Sequence, residues 1–161
     1  MPELCICQEI TRVDNALPVA VVRHRRERTR GSNTGRLVLN VLKNSWLVEV
    51  GVRGADTIDP EQFSGFGVLW PDGPGRVEDV EGLVVVDATW RQAYKLRMRV
   101  PGLMELPRIG LVGGDRPRMR QQSEPGRMAT AEAVAMALDC PELEHAFSLH
   151  VERMARSRGW R

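Results

Sequence analysis

A chain of 161 residues, 42% hydrophobic and 27% charged with a net charge of +2, is sized for one soluble globular domain with its own core. Its apolar runs are too short to cross a bilayer, and the opening MPELCICQEI has no basic residue ahead of an apolar stretch, so neither a membrane span nor a secretory signal is expected. Three cysteines, Cys5, Cys7 and Cys140, argue against a disulfide scaffold, and a cytoplasmic location is expected.

In chain order, strand-like and helix-like runs alternate. Residues 18–22 read as a short strand. It leads into Arg23-His24-Arg25-Arg26-Glu27-Arg28-Thr29-Arg30, five arginines and one histidine in eight positions. The planar guanidinium suits phosphates and stacks on bases, so this run is a candidate polyanion contact. A solvated loop without a partner, or a genome rich in arginine codons, accounts equally well for a chain in which 21 of 23 basic residues are Arg. Asn33 is placed to cap a helix over residues 34–43, with Leu37, Val38, Val41 and Leu42 at helical spacing. Residues 46–50 and 66–70 read as strands, the second stopped by Pro71-Asp72-Gly73-Pro74. Residues 83–86 form a continuous apolar run of the kind found in central parallel strands. A helix is expected over residues 90–99, stopped by Pro101-Gly102, then a strand over 106–112 and a long polar loop through Gly126. Thr130 is expected to cap a helix reaching Leu138, with Glu132 in its first turn. Pro141 opens a last helix whose stripe is Leu143, Phe147, Val151 and Met154. Arg153, Arg156, Arg158 and Arg161 make a second basic patch.

This alternation implies an α/β fold, a single domain over residues 1–161 with a largely parallel sheet flanked by helices. Ligands bind such sheets outside the carboxyl ends of the strands, which places Pro71, Asp87 and Gly113-Gly114 along one edge. Asp87 stands where a strand turns into a helix, and it or Thr89 is placed to cap that helix. The helix presents Arg91, Lys95 and Arg99 as one basic stripe. Trp90 and Tyr94 lie on an adjacent face, where packing is expected in preference to base stacking. A carboxylate at a cleft mouth beside a basic helix suits proton abstraction from a group attached to phosphates. His24 reads as a structural histidine. Cys5 and Cys7 supply two zinc ligands at most, so no metal is expected. No phosphate-binding glycine loop and no nucleophile elbow is present.

Five segments, in order, resemble the DTW-domain family. Its Asp-x-Thr-Trp motif is matched by Asp87-Ala88-Thr89-Trp90, with Ala88 where glycine is common. His24-Arg25-Arg26-Glu27, Asn33-Thr34-Gly35-Arg36, Trp70-Pro71 and Thr130-Ala131-Glu132-Ala133 supply the rest, and Arg116, Arg118 and Arg120 stand where the family has its own arginine. The resemblance implies a SPOUT-like, knotted fold. It also implies a transferase that moves the 3-amino-3-carboxypropyl group of S-adenosylmethionine to uridine in tRNA, releasing methylthioadenosine. A related branch acts on rRNA. Carried over residue by residue, Asp87 becomes the base acting on the uridine ring nitrogen, or the group that orients it. Thr34, Trp70, Pro71, Thr89, Trp90 and Thr130 become contacts for the S-adenosylmethionine donor. RNA contacts are then expected from Arg23, Arg25, Arg26, Arg28, Arg30, Arg91, Lys95, Arg99 and Arg120. Many relatives bind zinc through two cysteine pairs, of which this chain has only the second, and no metal is expected. Methyl transfer on the same fold, or a non-catalytic RNA-binding domain, is the alternative.

Overall fold

The computed structural model describes residues 5–51, 58–111 and 128–157. Gly113, Gly114, Arg116, Arg118, Arg120, Arg158 and Arg161, named above, lie outside the described residues, as does Val112 at the end of the last expected strand. Five strands form one sheet: β1 (Val19–His24), β2 (Ser45–Val50), β3 (Phe66–Leu69), β4 (Gly82–Asp87) and β5 (Arg108–Ile109). All pairings are parallel, in the order β2-β1-β4-β3-β5. The helices are α1 (Gly35–Val41), α2 (Trp90–Arg99), α3 (Thr130–Leu138) and α4 (Pro141–Ser157).

The central strands explain the two uninterrupted apolar runs. Val19 and Val21 of β1, with Leu83 and Val85 of β4, pack under α1, α3 and α4 through Val38, Val134 and Phe147. The alternate residues Ala20, Val22 and Val84 face the other way, against Leu96 of α2 and Val100 and Leu103 just beyond it. With a helical layer on each face, neither side of β1 or β4 tolerates a polar residue, and the period-two alternation of a half-exposed strand disappears. The result is the α/β sheet expected from the sequence; the knotted, SPOUT-like path remains an expectation.

The topology also makes a crevice. From β1 the chain passes through α1 to β2 on one side; from β4 it passes through α2, on the opposite face, to β5 on the other side. Neighbouring strands that depart in opposite directions leave a gap beyond their carboxyl ends, the usual ligand position in an open α/β sheet. Asp87, the last residue of β4, sits there, in register with Arg23 of β1.

Three local expectations need correction. The strand expected over 106–112 is only Arg108–Ile109, because its partner β3 ends at Leu69. The chain beyond turns toward the 71–75 segment instead, where Gly110 donates to Gly75 O at 3.0 Å and the Gly73 and Gly110 backbones approach so closely that neither position has room for a Cβ. The first helix is shorter than expected, since Leu42 is already extended and Lys43 donates to Val13 O at 3.0 Å. In α3 the cap position is Ala129, not Thr130; Ala129 N–H donates to the Glu132 carboxylate at 3.2 Å. The Thr130 hydroxyl is engaged elsewhere, at Asp87.

Candidate active site

Asp87 is 4% exposed, and two separate stretches of chain converge on its carboxylate. Asn33 donates through Nδ2 to Asp87 Oδ2. Its own Oδ1 accepts from Arg36 N–H at 3.4 Å, which fixes the orientation of the amide. Gly35 adds a backbone N–H, and a Cβ at that position would run into the carboxylate. From the other side Thr130 Oγ1 donates to Asp87 Oδ1 at 3.0 Å. Thr34 Oγ1 completes the junction by accepting from Ala131 N–H at 3.3 Å, so the loop before α1 is tied to the start of α3.

Burial pushes the Asp87 carboxyl above the ordinary carboxylate range. The hydrogen bonds from Asn33 and Thr130, the Arg23 charge and the Gly35 N–H pull the other way without cancelling it. Arg23 is itself engaged with Glu49 of β2 at 2.8 Å. The folded carboxyl therefore keeps its proton to higher pH than an exposed aspartate does.

Beside this junction lies a cavity of about 230 Å³. Leu69, Trp70 and Pro71 at the end of β3, Val86 and Ala88 flanking Asp87, Trp90 and Ala93 of α2, and Thr130 and Ala133 of α3 form its wall. Trp70 and Trp90 meet edge to face with ring centroids 6.2 Å apart, and the Arg97 guanidinium lies over the Trp70 ring at 5.5 Å. A mostly apolar slot with two indoles and one hydroxyl suits a flat heteroaromatic group. It is smaller than the ~300–1,000 Å³ pockets that enclose a whole drug-sized ligand, so its described walls take in part of a nucleoside-sized molecule.

Of the six residues expected to contact the small-molecule donor, Trp70, Pro71, Trp90 and Thr130 line this cavity. Thr34 stands behind it, buried, and Thr89 caps α2. The Thr89 hydroxyl accepts from Gln92 N–H at 3.4 Å, while Thr89 N–H donates to Gln92 Oε1 at 2.9 Å.

The basic residues border the same edge. Arg25, Arg26, Arg28 and Arg30 are exposed on the turn that follows β1. His24 shapes that turn by accepting from Arg26 N–H on Nδ1 at 3.1 Å, and Glu27 is buried beneath it, 3.1 Å from Arg30. Arg91, Lys95 and Arg99 are exposed along α2, a helix with no acidic residue. Tyr94 corrects the packing expectation: it is 62% exposed between those cations, and only Trp90 packs inward. Arg153 is engaged inside the molecule, with Cys5 O and Glu9, and Arg156 lies 3.6 Å from Glu152.

Asn33, Gly35 and Arg97 enter the site without having been singled out from the sequence as site residues. For Gly35 a signal was present, since glycine is a poor opening residue for a helix unless something needs the space of its side chain. Arg97 is one of four cations on α2, and nothing in its spacing separates it from the others.

Among the described residues no group of three or more His, Cys, Asp or Glu side chains is arranged to hold a metal ion, and no helix is long and apolar enough to cross a membrane. Comparison with known proteins gives one finding: the family model described as the DTW domain matches residues 1–154. No curated protein and no solved structure matches the chain.

Proposed function

The chain belongs to the DTW-domain family, which is associated with RNA-modifying enzymes, and from that premise we propose that it transfers the 3-amino-3-carboxypropyl group of S-adenosylmethionine to a uridine of tRNA. The observation that carries this reading is the pairing of a buried Asp87, its carboxyl raised by burial, with an apolar, indole-lined cavity on an edge bordered by exposed arginines.

The cavity fits the donor in kind. Its apolar wall and the two indoles accept the adenine and its sulfur-bearing arm, and electron-rich ring faces favour a sulfonium cation. Bound there, S-adenosylmethionine supplies an electrophilic carbon whose leaving group departs neutral, so the protein has no leaving-group charge to stabilise. The tasks left to this chain are positioning and proton removal. Trp70, Pro71 and Trp90 hold the donor. Asp87 supplies the site's proton acceptor, at the end of a rigid central strand. The fixed Asn33 and Thr130 donors keep the carboxylate from rotating. RNA is held at its phosphates by Arg25, Arg26, Arg28 and Arg30 and by the basic face of α2. Exposed Tyr94 offers a platform on which a base can stack.

The decisive experiment is incubation with S-adenosylmethionine labelled at the carboxyl carbon and unmodified total tRNA. Label in tRNA supports aminocarboxypropyl transfer, since methyl transfer cannot carry that carbon across. Label in rRNA alone moves the reading to the other acceptor. Label in neither, with the donor demonstrably bound, sinks it in favour of an RNA-binding domain.

A further inference from the structure

We propose that the Thr130 hydroxyl, and not Asp87 itself, is the group that meets the acceptor base, passing its proton back to Asp87. This rests on the transfer reaction proposed above and assigns the atom at which that reaction touches the protein.

The geometry leads there in three steps. First, Asp87 is set back from the cavity: Val86 and Ala88 on either side of it form wall, as does Thr130, whereas among the described residues Asp87 does not. Second, Oδ2 is taken by the Asn33 amide, and the Gly35 N–H adds a further donor to the carboxylate. A proton arriving on Asp87 therefore has one place to go, Oδ1, which faces Thr130 Oγ1 at 3.0 Å. Third, a hydroxyl has a single proton. While Asp87 is ionised, that proton is engaged with the carboxylate, and the hydroxyl turns only lone pairs to the cavity. The site then reads a hydrogen-bond donor, such as a ring N–H. The displacement of Thr130 from its expected capping duty fits this use, because Ala129 and Glu132 do the capping and leave the hydroxyl to the site.

The step balances. The ring N–H gives its proton to Thr130 Oγ1 while the threonine's own proton moves to Asp87 Oδ1. The electron pair left on nitrogen forms the new N–C bond. The C–S bond breaks with its pair on sulfur, and methylthioadenosine leaves neutral. The negative charge of Asp87 and the positive charge of the sulfonium disappear together, so no net charge is stranded in a buried site. Arg23, from β1, is the charged group acting on Asp87. Of the elements packed against the carboxyl, the loop before α1 supplies neutral donors, and on α3 Glu132 is turned to Ala129 N–H.

Two readouts test the relay in the full chain. In a 13C-carboxyl titration without ligand, with Asp87 assigned by its absence in Asp87→Asn, Thr130→Val should raise the Asp87 midpoint, because a donor that holds it down is removed; Thr130→Ser should restore it. An unmoved midpoint in Thr130→Val overturns the relay. In the labelled-donor assay at saturating S-adenosylmethionine, Thr130→Val should lose transfer by at least ~100-fold in kcat, while Thr130→Ser keeps most of it. Wild-type transfer by Thr130→Val overturns the relay and leaves the proposed function standing. Failure of the wild type itself to transfer overturns both.

Discussion

Replacing Asp87 with Asn removes a negative charge and almost no volume. The amide fits the donors already in place: its oxygen accepts from Asn33, and its NH2 group donates to Thr130 Oγ1. The fold should therefore accommodate Asp87→Asn, and the change in stability reduces to the charge. An unfolded aspartate titrates near ~3.9, whereas burial holds the folded Asp87 carboxyl above its usual range. Below the unfolded value both states are protonated, and burial of the acid carries no pH-linked penalty. As the pH rises through the window up to the folded value, the unfolded chain ionises and the folded one does not, so stability is lost at about 1.4 kcal/mol per unit of that window. The variant has no such window.

Asp87→Asn should thus gain on the wild type as pH rises from acid toward neutral and hold its lead above the folded value. For a chain of this length the gap in Tm is about 2–4 °C per kcal/mol. Calorimetric scans of both proteins from pH 4 to pH 8 measure it, and every other carboxylate cancels in the difference. Transfer should meanwhile fall by roughly 10²–10⁴, the range for a missing proton acceptor, with donor binding intact. A gap that closes as pH rises would show that the hydrogen bonds outweigh burial and hold the carboxyl low, refuting the electrostatic reading. Wild-type turnover would remove Asp87 from the chemistry altogether.

Gly35→Ala should destabilise by about 1–3 kcal/mol in thermal unfolding despite the better helix propensity of alanine, because its Cβ meets the Asp87 carboxylate; an unchanged Tm would mean the junction is loose. Trp70→Ala removes the indole that meets Trp90 and underlies Arg97 and should weaken donor binding about tenfold or more by calorimetric titration, and an unaltered Kd would place the donor elsewhere. Replacing Arg25, Arg26 and Arg28 together with Ala should leave Tm unchanged, weaken RNA binding and flatten the slope of log K against log salt by about 0.7–0.9 for each phosphate no longer neutralised. A slope equal to the wild type's would take the RNA path off this turn.

The elements readable from the sequence are those whose burial leaves a periodic trace. The valine runs of β1 and β4 and the stop at Pro101 place the sheet centre and α2 within a residue or two of where they are. The site was legible only as an edge. Periodicity marks a face but not a partner, so Asn33 read only as a cap, whereas its amide both accepts from Arg36 N–H in the first turn of α1 and donates to Asp87, 54 residues away in sequence. Thr130 read as a cap for the same reason. Tyr94 read as packing because aromatic residues four apart on a helix usually share a buried face; here Ala93 and Leu96 are the buried positions of the helix, and the ring lies outside them. The shortened β5 depended on where β3 stops, a fact about another strand that local sequence does not carry.

The three site threonines show how far residue type alone falls short, and they yield a last prediction. Thr34 accepts from Ala131, Thr130 donates to Asp87, and Thr89 serves only its own helix. Thr89 follows the strand's final residue by two positions and stands at the N-cap of α2. There it joins Gln92 in a reciprocal cap, exposed to solvent. Thr89→Ala should then cost about 0.5–2 kcal/mol, the usual penalty for an emptied N-cap, and leave donor affinity unchanged. Thr89→Ser should recover most of the stability, since the capping atom is the hydroxyl oxygen. Unfolding curves and donor titrations on both variants separate the roles. If Thr89→Ala weakens donor binding while its Tm holds, the hydroxyl belongs to the ligand site; if Tm alone falls, the Asp-x-Thr-Trp run divides its work, with Asp87 for the proton, Thr89 for the helix start and Trp90 for the cavity wall.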